Sequence, residues 1–379
     1  MSNAEPFLGI ELPGTGTHPA SWRRADSGAE DLFTAGYWTA AVTAAESFGL
    51  DAVFVPDSFA VQPGGAGVTR GRLDAVAVAA RTAAATSRVA LVPQVPVTHT
   101  EAFHVSKAIA ALDFATLGRA GWEVTVSEGA AQAKAFGRKD AQDATSLWAE
   151  AEEAIEVAAR LWDSWEDDAE IRDVPTGRFI DRAKLHYIDF LGEHFSVKGP
   201  SITPRSPQGQ PIVVVRADDP AAAEVAARRA DLVRISAPDL PAAAERRRAL
   251  RAAISAAGRD PDAVRVLLDL ELHLADSADR ALADLDELDR WAGAAHARPG
   301  REVHLLDPAQ LDTLLDRIAE SGAADGAVLR PLAVRASLAA LEAGGRPRTR
   351  PGAVPGTFRD RLGLPRPASR YALPAGAAQ

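Results

Sequence analysis

The chain has 379 residues, 47% of them hydrophobic and 25% charged, with a formal net charge of −10 and no cysteine. These figures fit one globular fold with a sizeable core, and they exclude disulfides, thiolate metal sites and cysteine nucleophiles. The acidic balance argues against nucleic acid or an anionic membrane as the main partner.

No apolar run approaches the ~20 residues a membrane span needs, and the N-terminus lacks a signal-like pattern, so a cytoplasmic protein is the expectation. Residues 7–12 read as a first strand, followed by a Gly/Pro-rich loop that carries His18 and Trp22. Residues 32–48 have helical spacing, and 50–55 form a compact apolar strand ending at Pro56-Asp57-Ser58. A helix over 73–86, a strand over 89–92 and a helix over 101–114 follow. Gly118-Arg119-Ala120-Gly121-Trp122 then leads into a strand over 123–126. A longer helix spans 144–165. Residues 166–211 form an insertion with a two-stranded excursion turning at Leu191-Gly192, and 212–215 are a buried strand. A helix over 220–229, strands over 232–235, 264–274 and 326–329, a helical Arg/Ala-rich stretch within 238–297 and an extended tail over 344–379 complete the chain.

About eight strands alternating with helices imply βαβ units and favour a closed (β/α)8 TIM barrel, an α/β fold, as one domain over 1–379. No G-x-G-x-x-G follows a strand, which weighs against a dinucleotide-binding sheet. His99 and His104 flank Glu101 but do not share a helix face, so no metal site is expected. The Gly64-Gly65-Ala66-Gly67 stretch has the composition of a phosphate cradle and reads better as a mouth loop. Glu152, Glu153 and Glu156 read as a solvated helix face, and Trp162 and Trp165 as packing at a helix end.

The order of elements over 161–215, LWDSWEDDAEIRDVPTGRFIDRAKLHYIDFLGEHFSVKGPSITPRSPQGQPIVVV, resembles that of bacterial-luciferase-like flavin-dependent monooxygenases. The branch is that of the nitrilotriacetate, dibenzothiophene-sulfone and long-chain alkane monooxygenases. The loop over 13–22, LDAVFVPDS over 50–58, the segments 88–113 and 118–127, and TFRDRLGLPRPASRYA over 357–372 carry the same resemblance, which runs nearly end to end.

The resemblance implies reduced FMN supplied by a partner flavin reductase, O2 as oxidant, a small organic substrate and a homodimer or homotetramer. His18 becomes the candidate catalytic residue. Asp57, Gln94, Glu123, Trp148, Arg216 and Asp219 fall on the cofactor wall.

Four segments of that wall depart from the family pattern. Glu123 stands where relatives have the Asn of GWN, and Ala144 and Trp148 stand where they have His and Tyr. The stretch 93–97 is Pro-Gln-Val-Pro-Val in place of a small polar run. The phosphate-receiving A-G-x-S-x-x-G turn becomes Arg216-Ala217-Asp218-Asp219-Pro220-Ala221-Ala222, with Asp219 at the Ser position. Asp followed by Pro is a strong helix start whose carboxylate occupies the anion position itself. Two readings follow: an FMN-dependent monooxygenase with a reshaped pocket, or a non-flavin paralogue serving as a binding or partner subunit. Coenzyme F420 is disfavoured, since Asp218 and Asp219 would also repel its charged tail.

Overall fold

The computed structural model describes residues 6–65, 67–296, 302–344 and 356–371. Eight parallel strands close into a ring: β1 (Phe7–Glu11), β2 (Ala52–Val55), β3 (Ala90–Pro96), β4 (Gly121–Thr125), β5 (Ile212–Arg216), β6 (Leu232–Ile235), β7 (Arg265–Leu274) and β8 (Gly326–Pro331). Neighbours pair in chain order, and β8 returns to β1 with Phe7 opposite Gly326, which leaves the barrel without an edge. The strands are rich in Val, Ile and Leu because helices cover one face and the lumen fills the other. Strand β7 is ten residues long and outruns its neighbours. Its upper end pairs with an additional short strand, Val303–Leu306, that sequence patterning did not reveal.

Helices start where the chain offers a capping oxygen. Side chains of Thr34, Asp74, Asp143, Asp219, Asp239, Ser277 and Asp307 each accept a backbone N–H of the first turn. No helix among the described residues is long and apolar enough to cross a membrane.

Three expectations need correction. The insertion holds two small ribbons rather than one, Glu170–Asp173 with Arg178–Ile180 and Phe190–Leu191 with Ser196–Val197. The tail is not simply extended. Thr357 and Asp360 form a capping box around the short helix Phe358–Arg361, and Phe358, fully buried, closes the bottom of the lumen with Leu362 and Leu364. Glu152, Glu153 and Glu156 are not a solvated face, because basic side chains and bare N–H groups dock on them. Glu152 pairs with Arg228 and Arg229, Glu153 accepts the backbone N–H groups of Glu193 and His194, and Glu156 holds Arg160, Arg229 and Arg370.

Alternation along the strands sorts the lumen into layers. Phe7, Ala52, Phe54, Ala90, Val92, Ile212, Val214, Leu232, Leu267 and Val328 point inward and form an apolar lower core. Trp122, Val124, Val213, Val215, Leu268 and Leu270 point outward into the helix layer. Gly9 has no side chain because a Cβ there would lie 2.8 Å from the Phe54 ring. The layer above, at the C-terminal ends of the strands, is polar.

Candidate functional site

The top layer of the lumen is an ion network of three carboxylates and three guanidiniums: Glu11, Glu123 and Asp269 with Arg216, Arg234 and Arg330. Arg234 is fully buried and sits at its centre. Its Nη2 donates to Glu11 at 2.7 Å, its Nη1 to Glu123 at 2.8 Å and its Nε to Asp269 at 2.8 Å. Arg216 donates to Glu11 at 2.6 Å and stands 3.5 Å from Glu123 and 3.4 Å from Asp269. Arg330 donates through Nε to Glu11 at 3.0 Å. Below, the guanidinium of Arg234 lies over the Phe54 ring, 4.7 Å from its centroid.

Burial alone would raise the Glu11 carboxyl, but Arg330, Arg234 and Arg216 hold it well below the usual carboxylate range. Arg234, despite burial, is held above its ordinary value by Asp269, Glu123 and Glu11. The charges therefore satisfy one another. The network extends to the loop after β2 through Gln94, whose Nε2 donates to Glu123 at 3.1 Å and whose Oε1 accepts the Asp57 backbone N–H at 3.0 Å.

Above this layer opens a cavity of about 960 Å³, large enough for a drug-sized molecule. Glu11, Gln94, Arg216 and Arg330 form its floor, with Leu32, Trp38, Trp291, Gln62, Val68 and Arg72 among its walls. His18 and His296 line one side, their rings 4.9 Å apart. His18 is fully engaged: its Nδ1 accepts the Ala20 N–H at 3.1 Å, which fixes the proton on Nε2, and Nε2 meets Asp289 at 3.1 Å. Burial pushes its pKa down. His296 pairs through Nε2 with Glu271 at 3.1 Å.

The expected site residues separate into groups. His18, Gln94 and Arg216 line the cavity, and Glu123 lies just beneath it within the ion network. Asp57 accepts the N–H groups of Ser58 and Ala75, so its carboxylate fixes the start of the helix Ala75–Ala83. Its pKa is raised, chiefly by burial. Trp148 is buried in the layer between helices and barrel, not in the cavity lining, and its indole N–H finds no acceptor among the described residues. Asp219 caps the helix Pro220–Arg229, its Oδ1 accepting the Ala222 N–H at 2.9 Å. The Gly-rich loop lies at the mouth, with Gly64, Gly65 and Gly67 on the cavity wall; Ala66 falls outside the described residues.

Sequence reading missed Glu11, Arg234, Asp269, Arg330 and His296. A signal was present: Asp269, Glu271 and His273 alternate with leucines in VLLDLELHL, which puts three polar side chains on one face of a strand. Arg234 likewise interrupts an apolar strand.

A family profile described as luciferase-like monooxygenase matches residues 15–346. The chain is 32% identical over 281 residues to the N-acetyl-S-(2-succino)cysteine monooxygenase of Bacillus subtilis, covering 74% of this chain and 64% of that one. It is 35% identical over 244 residues to the nitrilotriacetate monooxygenase component A of Aminobacter aminovorans, covering 61% and 54%. The matches thus span less than two thirds of those relatives' length. A crystal structure of riboflavin lyase with modified FMN and riboflavin superposes with a TM-score of 0.81 at 23% identity, covering 95% of this chain and 96% of that one. That likeness concerns the fold.

Proposed function

Since the chain belongs to the luciferase-like monooxygenase family, we propose that it binds a small organic ligand at the barrel mouth without FMN, as a binding or partner subunit. The observation that carries this reading is the Asp219 cap. The resemblance puts the FMN phosphate at the first turn of the helix Pro220–Arg229. There the Asp219 carboxylate already takes the Ala222 N–H, and Pro220 has no N–H to give. A phosphate ~4 Å from such a carboxylate is repelled by about 4 kcal/mol per charge pair at an effective dielectric of ~20.

The other departures agree. Ala144 is exposed and offers no polar group, and its helix start is capped by Asp143. Glu123, at the ring-facing position, is committed to Arg234 and Gln94. The residues present do not fit FMN at the family's seat, and no chemical step is routed through it.

A second reading is supported by the cavity's size and by the hydrogen-bonded link from Asp57 through Gln94 to Glu123. It is a monooxygenase fed with reduced flavin by a reductase, acting on a small organic substrate. Titration of the purified protein with oxidised and reduced FMN separates the two. Saturable micromolar binding supports the second reading, and its absence supports the first.

A further inference from the structure

The floor of the cavity contains a guanidinium that the ion network uses only in part. Arg330 is 6% exposed, and its one hydrogen bond within the network is made by Nε, to Glu11. Its Nη1 is buried without an acceptor among the described residues, and its side chain lines the cavity. A buried donor of this kind is costly unless something meets it. A guanidinium fork matches the two oxygens of a carboxylate or a phosphate.

Charge decides between them. Three carboxylates face three guanidiniums in the layer, so it is already neutral. A carboxylate would add one negative charge beside Glu11, and a phosphate monoester up to two. Arg72, whose Nε also lacks an acceptor among the described residues, stands on the wall. Leu32, Trp38 and Trp291 offer apolar surface in the same cavity.

Resting on the ligand-binding reading above, we propose that the cavity takes an organic carboxylate. The Nη fork of Arg330 grips its carboxylate group, and its apolar body lies against the Leu32, Trp38 and Trp291 walls.

Trp38 and Trp291 make intrinsic fluorescence a direct readout. The purified full chain is titrated with hexanoate, 3-phenylpropionate and succinate, each beside its amide, and with inorganic phosphate. At least one acid is expected to give saturable quenching and to bind about tenfold to a hundredfold more tightly than its amide, the range of a charge-assisted hydrogen bond. Arg330→Lys keeps a positive charge for Glu11 but removes the fork. It should bring the affinity for the acid down to that for its amide, and a circular dichroism spectrum equal to wild type verifies folding. Arg330→Gln serves if the lysine variant does not fold. Equal binding of acids and amides, no binding of any acid, or preferred binding of phosphate overturns the proposal.

FMN is titrated in parallel. FMN binding that survives Arg330→Lys, with acid discrimination present in the wild type and lost in the variant, defeats only the flavin-free reading. FMN binding lost with the fork defeats the carboxylate assignment as well.

Discussion

Arg234→Met removes the centre of the lumen network while keeping an unbranched side chain over Phe54. Arg234 makes three charge-assisted hydrogen bonds of 2.7–2.8 Å, one to each buried carboxylate. Its loss would leave Glu11, Glu123 and Asp269 with Arg216 and Arg330, one negative charge in excess inside the barrel. Breaking a buried pair on one side costs about 3–5 kcal/mol, a large share of the 5–15 kcal/mol typical of a folded domain.

In the native chain the depressed pKa of Glu11 contributes stability that is present above the unfolded value and lost as pH falls through the folded one. Without Arg234, three carboxylates share two guanidiniums, and ionising all three leaves one buried charge unpaired, so the variant weakens as pH rises. The gap between the two proteins should therefore be narrow near pH 5 and widest near pH 8. Urea unfolding followed by circular dichroism at both pH values measures it. A loss below about 1 kcal/mol at pH 8, or a gap that does not change with pH, would mean that the variant buries no unpaired charge.

Phe358→Ala opens the bottom of the lumen beside Phe7 and should cost about 3–5 kcal/mol; a thermal melt indistinguishable from wild type would mean that the tail does not close the barrel. Glu156 is subject to desolvation by burial, yet its bonds to Arg370 and Arg160 hold its pKa down at about 2. Its contribution should thus be full above the unfolded carboxylate range and vanish as pH falls through that value. Acid unfolding of Glu156→Gln beside wild type reads this, and curves a constant distance apart would contradict it. Asp219→Ala should lose about 1 kcal/mol of helix capping. By contrast, Asp219→Ser with Ala222→Gly should recover measurable FMN affinity, read by calorimetry. No recovery would shift the obstruction to Glu123 or Trp148.

The barrel was legible because βα alternation is written in apolar runs. Asp219 could be placed at its helix start from sequence, since a cap depends only on adjacent residues. The ion network was not legible, because Glu11, Glu123, Arg234, Asp269 and Arg330 come from five strands as much as 319 positions apart. Glu123 stood out as a departure from the family, but its meaning depended on Arg234, and only the closed ring brings the two together. The plug at Phe358 was hidden for another reason: a short helix amid Pro, Gly and Arg carries little periodicity, and its burial comes from the lumen it enters.

Calorimetric titration of the purified protein with FMN, oxidised and then photoreduced under nitrogen, bears on the account most directly. A repulsion of about 4 kcal/mol would move a micromolar site to roughly millimolar, so no saturable heat should appear up to about 100 µM flavin in either state. A one-to-one isotherm with a micromolar Kd would contradict the claim that Asp219 has closed the phosphate seat.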